Sequence, residues 1–96
     1  MNTCFITARI LNKPQRFLRD GRYITSFYVG FPNKPNLLSF AEAIAYGKIS
    51  QNIFDLYFKG DYVIIEGKLI IMNTSGDKNL IINIIKLHPA RIILKK

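Results

Sequence analysis

Two stretches near the start of the chain have the composition and length of β-strands. Residues 4–11 and 23–31 are rich in β-branched and aromatic side chains. The segment between them, KPQRFLRDGR, contains a proline and an Asp-Gly pair, which are turn signals. This pattern predicts a long, bent hairpin. Two prolines then fall within residues 32–36, where they neither donate ladder hydrogen bonds nor continue a helix, and so predict a loop.

The middle of the chain changes from an alternating pattern to a helical one. Residues 39–46 alternate three alanines with larger side chains, which predicts a third strand with one small face. The larger side chains are Phe40, Glu42, Ile44 and Tyr46. Over residues 49–58 apolar side chains recur at helical spacing, with Ser50 near the start as a candidate cap and Gly60 just beyond the end. One short helix is predicted there.

Two further strands are predicted after the helix. Residues 61–72 form a long strand centred on Gly67, where the absent side chain permits the sharp bend of a barrel corner. The segment NTSGDK at 73–78 predicts a turn, and residues 79–87 the last strand. The order β-β-β-α-β-β is that of the OB-fold, a five-stranded Greek-key barrel. The sequence therefore predicts an all-β OB-fold barrel with one short helix over residues 1–90, and a short basic extension at 91–96.

Size and composition agree with one small domain. The chain has 96 residues, of which 49% are hydrophobic and 21% charged, so it can bury a core and is neither a disordered tail nor a collagen-like chain. The apolar run YVIIEGKLIIM is interrupted by Glu66 and Lys68, well short of the roughly 20 residues that cross a bilayer. We therefore expect a soluble, unprocessed protein that does not enter a membrane.

Positive charge is concentrated at the two ends of the chain. The net charge is +8. Residues 1–22 contain five cations against one acid, residues 86–96 contain four cations and no acid, and residues 23–85 sum to zero. Such a surface attracts polyanions, of which nucleic acid and anionic membrane surfaces are the usual ones.

Catalysis and metal binding have little support in the sequence. Cys4 is the single cysteine and His88 the single histidine, so neither an internal disulfide nor a zinc site with its usual ligands is available. No Gly-x-Ser-x-Gly or P-loop motif is present, and the serines lack triad partners. We predict that the protein is not an enzyme and uses no cofactor.

Nucleic-acid binding is better supported. OB barrels bind with their second and third strands and with the loops joining strands 1–2 and 4–5, and here the first of these loops is the most basic segment. Single-stranded nucleic acid requires aromatic faces for its bases as well as cations for its phosphates. The candidate rings are Phe17, Phe40, Tyr46 and, on the second strand, Tyr28 or Phe27. With twelve aromatics in a small barrel most must fill the core, and Phe5, Phe54 and Phe58 fit that role better.

Three stretches of the chain together resemble the bacterial single-stranded DNA-binding protein family. These are MNTCFITARI, ILNKPQRFLRDGRYITSFYV and AIAYGKISQNIFDLYFKGDYVIIEGKL. The last is the most specific, because Tyr-Gly-Lys at 46–48 falls where the family has an aromatic residue, Gly and Lys or Asn. The chain is most similar to the short, tail-less branch of cyanobacteria and algal plastid genomes, which begin Met-Asn-x-Cys and carry Phe-Pro after strand 2 and His-Pro near the end.

The resemblance implies an OB-fold subunit that forms a tetramer or dimer and binds single-stranded DNA without strong sequence preference. Tyr46 matches a stacking aromatic and Phe40 falls near a second one. Arg16 and Phe17 match an Arg-aromatic pair of the first hairpin, and Lys68 lies where polar residues face the DNA. The chain departs from the pattern in having no Trp and in placing Glu42 where a cation is common. It also lacks the acidic tail by which longer members recruit repair proteins, so recruitment of that kind is not expected.

The main hypothesis is a homo-oligomeric protein that binds single-stranded DNA in support of replication, recombination and repair. Stacking is assigned to Phe17, Phe40 and Tyr46, and phosphate contacts to Arg9, Lys13, Arg16, Arg19, Arg22 and Lys68. The first strand is apolar enough on both faces for one face to meet another subunit. Ile, Asn, Lys, Phe and Tyr, whose codons are A/T-rich, are abundant, and this amino-acid composition predicts a plastid location, with bacterial cytoplasm as the alternative. Two other functions stay open: an RNA-binding or primosome-type OB module, and a protein-interaction subunit with weakened DNA binding.

Overall fold

The computed structural model describes residues 3–34, 37–74 and 77–90. It contains six strands and one helix. In chain order they are β1 (Thr3–Ile10), β2 (Gln15–Arg19), β3 (Arg22–Lys34), β4 (Leu37–Tyr46), α1 (Lys48–Leu56), β5 (Tyr62–Thr74) and β6 (Asp77–Pro89). Strands β1, β5, β6, β4 and β3 are hydrogen-bonded in that order, and β3 pairs back to β1 at Arg9 and Ile10, so these five close a ring. The predicted OB-fold barrel with one helix after its third strand is confirmed.

The barrel carries a sixth strand that the sequence pattern does not predict. The segment expected to be only a turn contains β2, which pairs antiparallel with the first half of β3. The hairpin closes at Asp20 and Gly21, which both have positive φ, 51° and 76°, as a two-residue hairpin turn requires. All five residues of β2 are exposed. A strand is predicted from apolar residues that alternate with polar ones because one face is buried, and β2 has no buried face to produce that pattern.

Two other predicted segments are shorter than expected because the strands continue into them. The loop predicted at 32–36 is wrong for its first half, since β3 continues to Lys34 with a register irregularity between Pro32 and Lys34, and a proline is tolerated at such an irregularity. The turn predicted at 73–78 is also too long, since β5 ends at Thr74 and β6 begins at Asp77. Residues 35, 36, 75 and 76 and the predicted extension at 91–96 lie outside the described residues.

The core lies inside the ring, where small residues of β4 face larger ones of β3. Val29, Phe27 and Thr25 lie opposite Ala41, Ala43 and Ala45, and all six are buried. Isoleucines and valines from the remaining strands complete the core with Ile53 of α1. Because Phe27 points inward, Tyr28 is the residue of this pair that faces out, which resolves the alternative left open by the sequence.

Gly67 and Ser50 show how local geometry fits the chain to this barrel. Glu66 pairs with Lys86 but Gly67 with Ile84, so the predicted bend at Gly67 coincides with a bulge. A Cβ on Gly67 would collide with the backbone carbonyl of Asn83. The prediction of Ser50 as a helix cap is wrong: Gly47 precedes the helix, and Ser50 is buried with its hydroxyl 2.6 Å from Thr25 Oγ1. Within the three described ranges, no helix has both the length and the apolar character to cross a membrane.

Candidate nucleic-acid interface

A row of apolar side chains crosses the outer face of the barrel at its hairpin end. Phe17 on β2 lies opposite Ile24 on β3, and Ile24 lies opposite Tyr46 on β4. Directly opposed residues project to the same face of a sheet, and neighbouring strands are about 4.8 Å apart, so the backbones of Phe17 and Tyr46 are about 10 Å from each other. Phe17 is 49% exposed and Tyr46 47%. Both rings are therefore available for contact with a ligand.

Two more rings continue this face away from the hairpin turn. Tyr28 on β3 lies opposite Glu42, and Phe40 lies opposite Gly30. Because the alanines of β4 occupy its inner face, the residues that alternate with them face outward, and Phe40 and Tyr28 are each more than half exposed. We call the outer side of β2, β3 and β4 that carries Phe17, Tyr28, Phe40 and Tyr46 the aromatic face.

Two arginines border the aromatic face at the hairpin turn. Arg19 and Arg22 are directly opposed across the turn, and both are exposed. Together with Asp20, Ile24 and Tyr46 they line an open concavity of about 300 Å³. No carboxylate in the described part of the chain forms an ion pair with either guanidinium. Positive charge and an exposed ring thus meet at one end of the face, as single-strand binding requires.

Arg16 lies on the opposite side of the hairpin from Phe17. Its register partner is the buried Thr25, and its Cζ lies 4.7 Å from the Tyr23 ring centroid and 4.8 Å from that of Phe54 in α1. The alternation of side chains along β2 explains why neighbours in sequence point to opposite faces. The structure therefore does not bring Arg16 together with Phe17, and a phosphate contact by Arg16 stays a prediction.

Arg9 lies at the other end of the aromatic face. It is exposed on β1 opposite Gly30 of β3, and Gly30 in turn lies opposite Phe40 of β4. Because glycine has no side chain, β3 places none between Arg9 and Phe40 at this position. Its guanidinium carbon is 5.7 Å from the Tyr62 ring centroid. The two ends of the face thus each combine an arginine with a ring.

Lys13 and Lys68 flank the same surface. Lys13 is exposed in the connection between β1 and β2, next to Asn12, whose Oδ1 accepts a hydrogen bond of 2.7 Å from the Tyr28 backbone N–H. This bond holds the connection against β3. Lys68 is exposed on β5 opposite Asn83, which pairs with Ile44 of β4. Lys68 is thus separated from Ile44, in the second half of β4, by the single strand β6, and its side chain is on the outside of the barrel.

Several aromatic side chains differ from their predicted places. Phe5 and Phe58, expected in the core, are 69% and 63% exposed, whereas Phe54 is half-buried beside Arg16. Tyr28 belongs to the aromatic face, whereas the sequence alone does not distinguish it from Phe27. Thr25, Phe27 and Val29 alternate along β3 and lie opposite the alanines of β4, which occupy the inner face. This register identifies Phe27 as inward-facing and Tyr28 as outward-facing.

Comparisons with solved structures place this architecture among single-stranded DNA-binding proteins. No protein-family model and no curated protein sequence matches the chain. The SSB domain of a protein from Synechococcus sp. matches with a TM-score of 0.80 at 23% identity, covering 92% of this chain and 94% of that one. The second single-stranded DNA-binding protein of Mycobacterium smegmatis matches with a TM-score of 0.77 at 15% identity, covering 99% of this chain and 98% of that one. The small single-stranded DNA-binding protein of Streptomyces coelicolor matches with a TM-score of 0.79 at 12% identity, covering 94% of this chain and 95% of that one.

Each of these three neighbours is itself named as a single-stranded DNA-binding protein or as an SSB domain. The match covers nearly the whole of each chain, so it extends to the barrel and to the hairpin together. The family resemblance seen in the sequence is confirmed for the fold: this chain has the OB fold of the single-stranded DNA-binding proteins.

Proposed function

We propose that the chain binds single-stranded DNA without strong sequence preference along the aromatic face. The observation that carries this proposal is the row of Phe17, Ile24 and Tyr46 bordered by Arg19 and Arg22. Exposed rings give bases a surface for stacking, and the unpaired guanidinium groups attract phosphates. The structural likeness to three single-stranded DNA-binding proteins supports the same ligand.

The proposed path of the strand follows from where these groups lie. Bases stack on Phe17 and Tyr46 near the hairpin and on Tyr28 and Phe40 farther along β3 and β4. Phosphates contact Arg19 and Arg22 at the hairpin end. The remaining proposed phosphate contacts are Lys13, Lys68 and Arg9.

We further propose that the subunit is homo-oligomeric, as a dimer or tetramer. On the side away from β5, β1 pairs with β3 only at Arg9 and Ile10, so the backbone groups of its preceding residues have no strand neighbour there among the described residues. The exposed ring of Phe5 stands on this strand. An unpaired edge with an exposed apolar ring favours association with another chain. Sedimentation at several protein concentrations tests this proposal.

A role in DNA replication, recombination and repair is proposed as the purpose of this binding, and a plastid as its place. The abundance of amino acids whose codons are A/T-rich supports the location. Localisation of the tagged protein in cells tests the compartment, and a plastid signal is expected.

The proposed ligand is tested by competition at several salt concentrations. Labelled oligothymidylate is bound first, and unlabelled single-stranded DNA, duplex DNA and RNA of equal length are added as competitors. We expect single-stranded DNA to compete best and duplex DNA worst. Equal competition by RNA would favour the RNA-binding alternative, and absence of any complex at low salt would favour the protein-interaction alternative.

A further inference from the structure

The middle of the aromatic face carries a negative charge. Glu42 lies on β4 opposite Tyr28 of β3 and, on its other side, Ile81 of β6. Its side chain is half-buried, and no cation of the described residues forms an ion pair with it. It shares a shallow concavity of about 130 Å³ with Phe17 and Tyr46, and Arg19 lines the hairpin end of the same concavity. The carboxylate therefore lies in the floor of the surface on which a bound strand rests.

The cations of this face stand at its ends instead. Arg19 and Arg22 border it at the hairpin turn, and Arg9 borders it beyond Gly30. A phosphate is attracted to the arginines and repelled by Glu42. If a strand binds this face as proposed, its sugar-phosphate backbone runs along the margins, and its bases, rather than its phosphates, face the carboxylate.

Two rings of the aromatic face, those of Tyr28 and Phe40, are neighbours of Glu42 in the sheet, and Tyr46 lies farther along β4. Directly opposed residues of an antiparallel pair have Cβ atoms about 5 Å apart, which is the separation expected for Tyr28. Along β4, Phe40 is two residues away, or about 7 Å, and Tyr46 four residues away, or about 14 Å. A base stacked on Tyr28 therefore has its edge within hydrogen-bonding reach of the Glu42 carboxylate.

The chemistry of a carboxylate discriminates between bases. An ionised carboxylate accepts hydrogen bonds through two oxygens and donates none. Guanine presents two adjacent donors on its Watson–Crick edge, N1–H and the N2 amino group, which match those oxygens. Thymine presents a single N3–H between two carbonyl oxygens that the carboxylate repels. We propose, building on the proposed single-strand binding, that Glu42 is a specificity-determining residue that favours guanine over thymine beside Tyr28.

The test compares oligonucleotides that differ in one base. The protein is titrated at constant salt into fluorescent oligothymidylate, and into the same oligomer with every third thymine replaced by guanine or by hypoxanthine, which lacks the N2 amino group. Isolated guanines avoid four-stranded structures. We expect the guanine oligomer to bind at least about fivefold more tightly than oligothymidylate, the lower end of what a base-edge contact discriminates. The hypoxanthine oligomer is expected to fall between them.

Two variants separate base recognition from charge. In Glu42→Gln the amide donates to thymine O4 as well as accepting from N3–H, so the affinity ratio between the guanine and thymine oligomers is expected to fall to about one. Asp55→Asn removes one negative charge from an exposed position on α1 and is expected to keep the ratio of the unmodified protein. An unchanged ratio in Glu42→Gln, or equal affinities in the unmodified protein, would overturn the assignment while leaving single-strand binding intact. Failure to bind any of the oligomers would overturn the proposed function as well.

Discussion

The guanidinium of Arg16 stacks against the ring of Phe54, with its Cζ 4.8 Å from the ring centroid. This contact joins β2 to α1, elements that are separated in sequence by two strands. The Tyr23 ring of β3 lies at a similar distance from the same guanidinium. Because the contact lies on the side of the hairpin opposite Phe17, it holds the hairpin while leaving the aromatic face free. Arg16 is thus placed to position the hairpin, and its sequence-predicted phosphate contact would have to be made on the side that faces α1.

The first prediction separates these two roles of arginine. Arg16→Gln is expected to lower the free energy of unfolding by about 1–2 kcal/mol, because it removes two cation–π contacts. It is expected to leave the slope of log K against log salt unchanged. Arg19→Gln is the comparison, and it is expected to reduce the magnitude of the slope by about 0.7, the value for one lost phosphate contact on a single strand. A reduction of that size in Arg16→Gln would show that Arg16 contacts phosphate, as the sequence predicts.

The second prediction concerns the salt dependence of the unmodified protein. If about four phosphates are neutralised, log K for single-stranded DNA falls with log salt at a slope near −3. Titrations at increasing salt measure this slope directly. A slope near zero would contradict the assignment of phosphate contacts to the cations bordering the aromatic face.

The third prediction concerns stacking. Tyr46→Ala is expected to weaken single-stranded DNA binding by about 1–3 kcal/mol, because one stacking ring is removed. The free energy of unfolding is expected to change by only about 0.5 kcal/mol, since the ring is half exposed. Tyr46→Phe keeps the ring and is expected to bind almost normally. Unchanged DNA affinity together with a weakened barrel would instead make Tyr46 a structural residue.

The fourth prediction concerns the bulge in the barrel. Gly67→Ala is expected to destabilise the protein by about 1–3 kcal/mol, because the added methyl group meets the backbone of Asn83, which cannot move aside without opening the β5–β6 ladder. Gly21→Ala is a suitable contrast, since a Cβ there meets nothing within 4 Å and only the positive φ opposes it. Chemical denaturation compares the two variants. Equal and small effects would show that the barrel corner tolerates a side chain.

The fifth prediction concerns alkaline pH. Burial raises the pKa of the Tyr57 hydroxyl above its usual value of 10.0, and the negative charge of Asp61 raises it further. The folded state therefore holds this proton more tightly than the unfolded state, so the contribution is complete below pH 10 and is lost as the pH rises through the higher folded-state pKa. Tyr57→Phe has no such proton. Above pH 10 the free energy of unfolding of the unmodified protein is expected to fall relative to that of Tyr57→Phe. A difference that stays constant with pH would contradict the raised pKa of Tyr57 as its cause.

The barrel itself was predictable from local patterns. In β4 alanines alternate with larger residues, which is the two-residue period of a strand, and in α1 apolar residues recur every three or four positions, which is the period of a helix. Each of these elements can therefore be identified from its own residues. Strand β2 was not predictable in this way, because both of its faces meet solvent and its residues carry no alternation. It forms because β3 provides a ladder for it, and Arg16 on one of its faces also contacts Phe54 of α1.

The candidate site was predictable in its residue types and incompletely in its arrangement. The sequence by itself determined a basic first hairpin, candidate rings in the hairpin and on the strands that follow it, and the order of elements that closes the barrel. The tertiary structure alone decided that Phe17 and Tyr46 share a row, that Arg16 faces α1 and that Glu42 lies between the rings. The physical reason is that period is a property of neighbouring residues, whereas register is set by pairing between strands distant in sequence, and register decides which side chains meet.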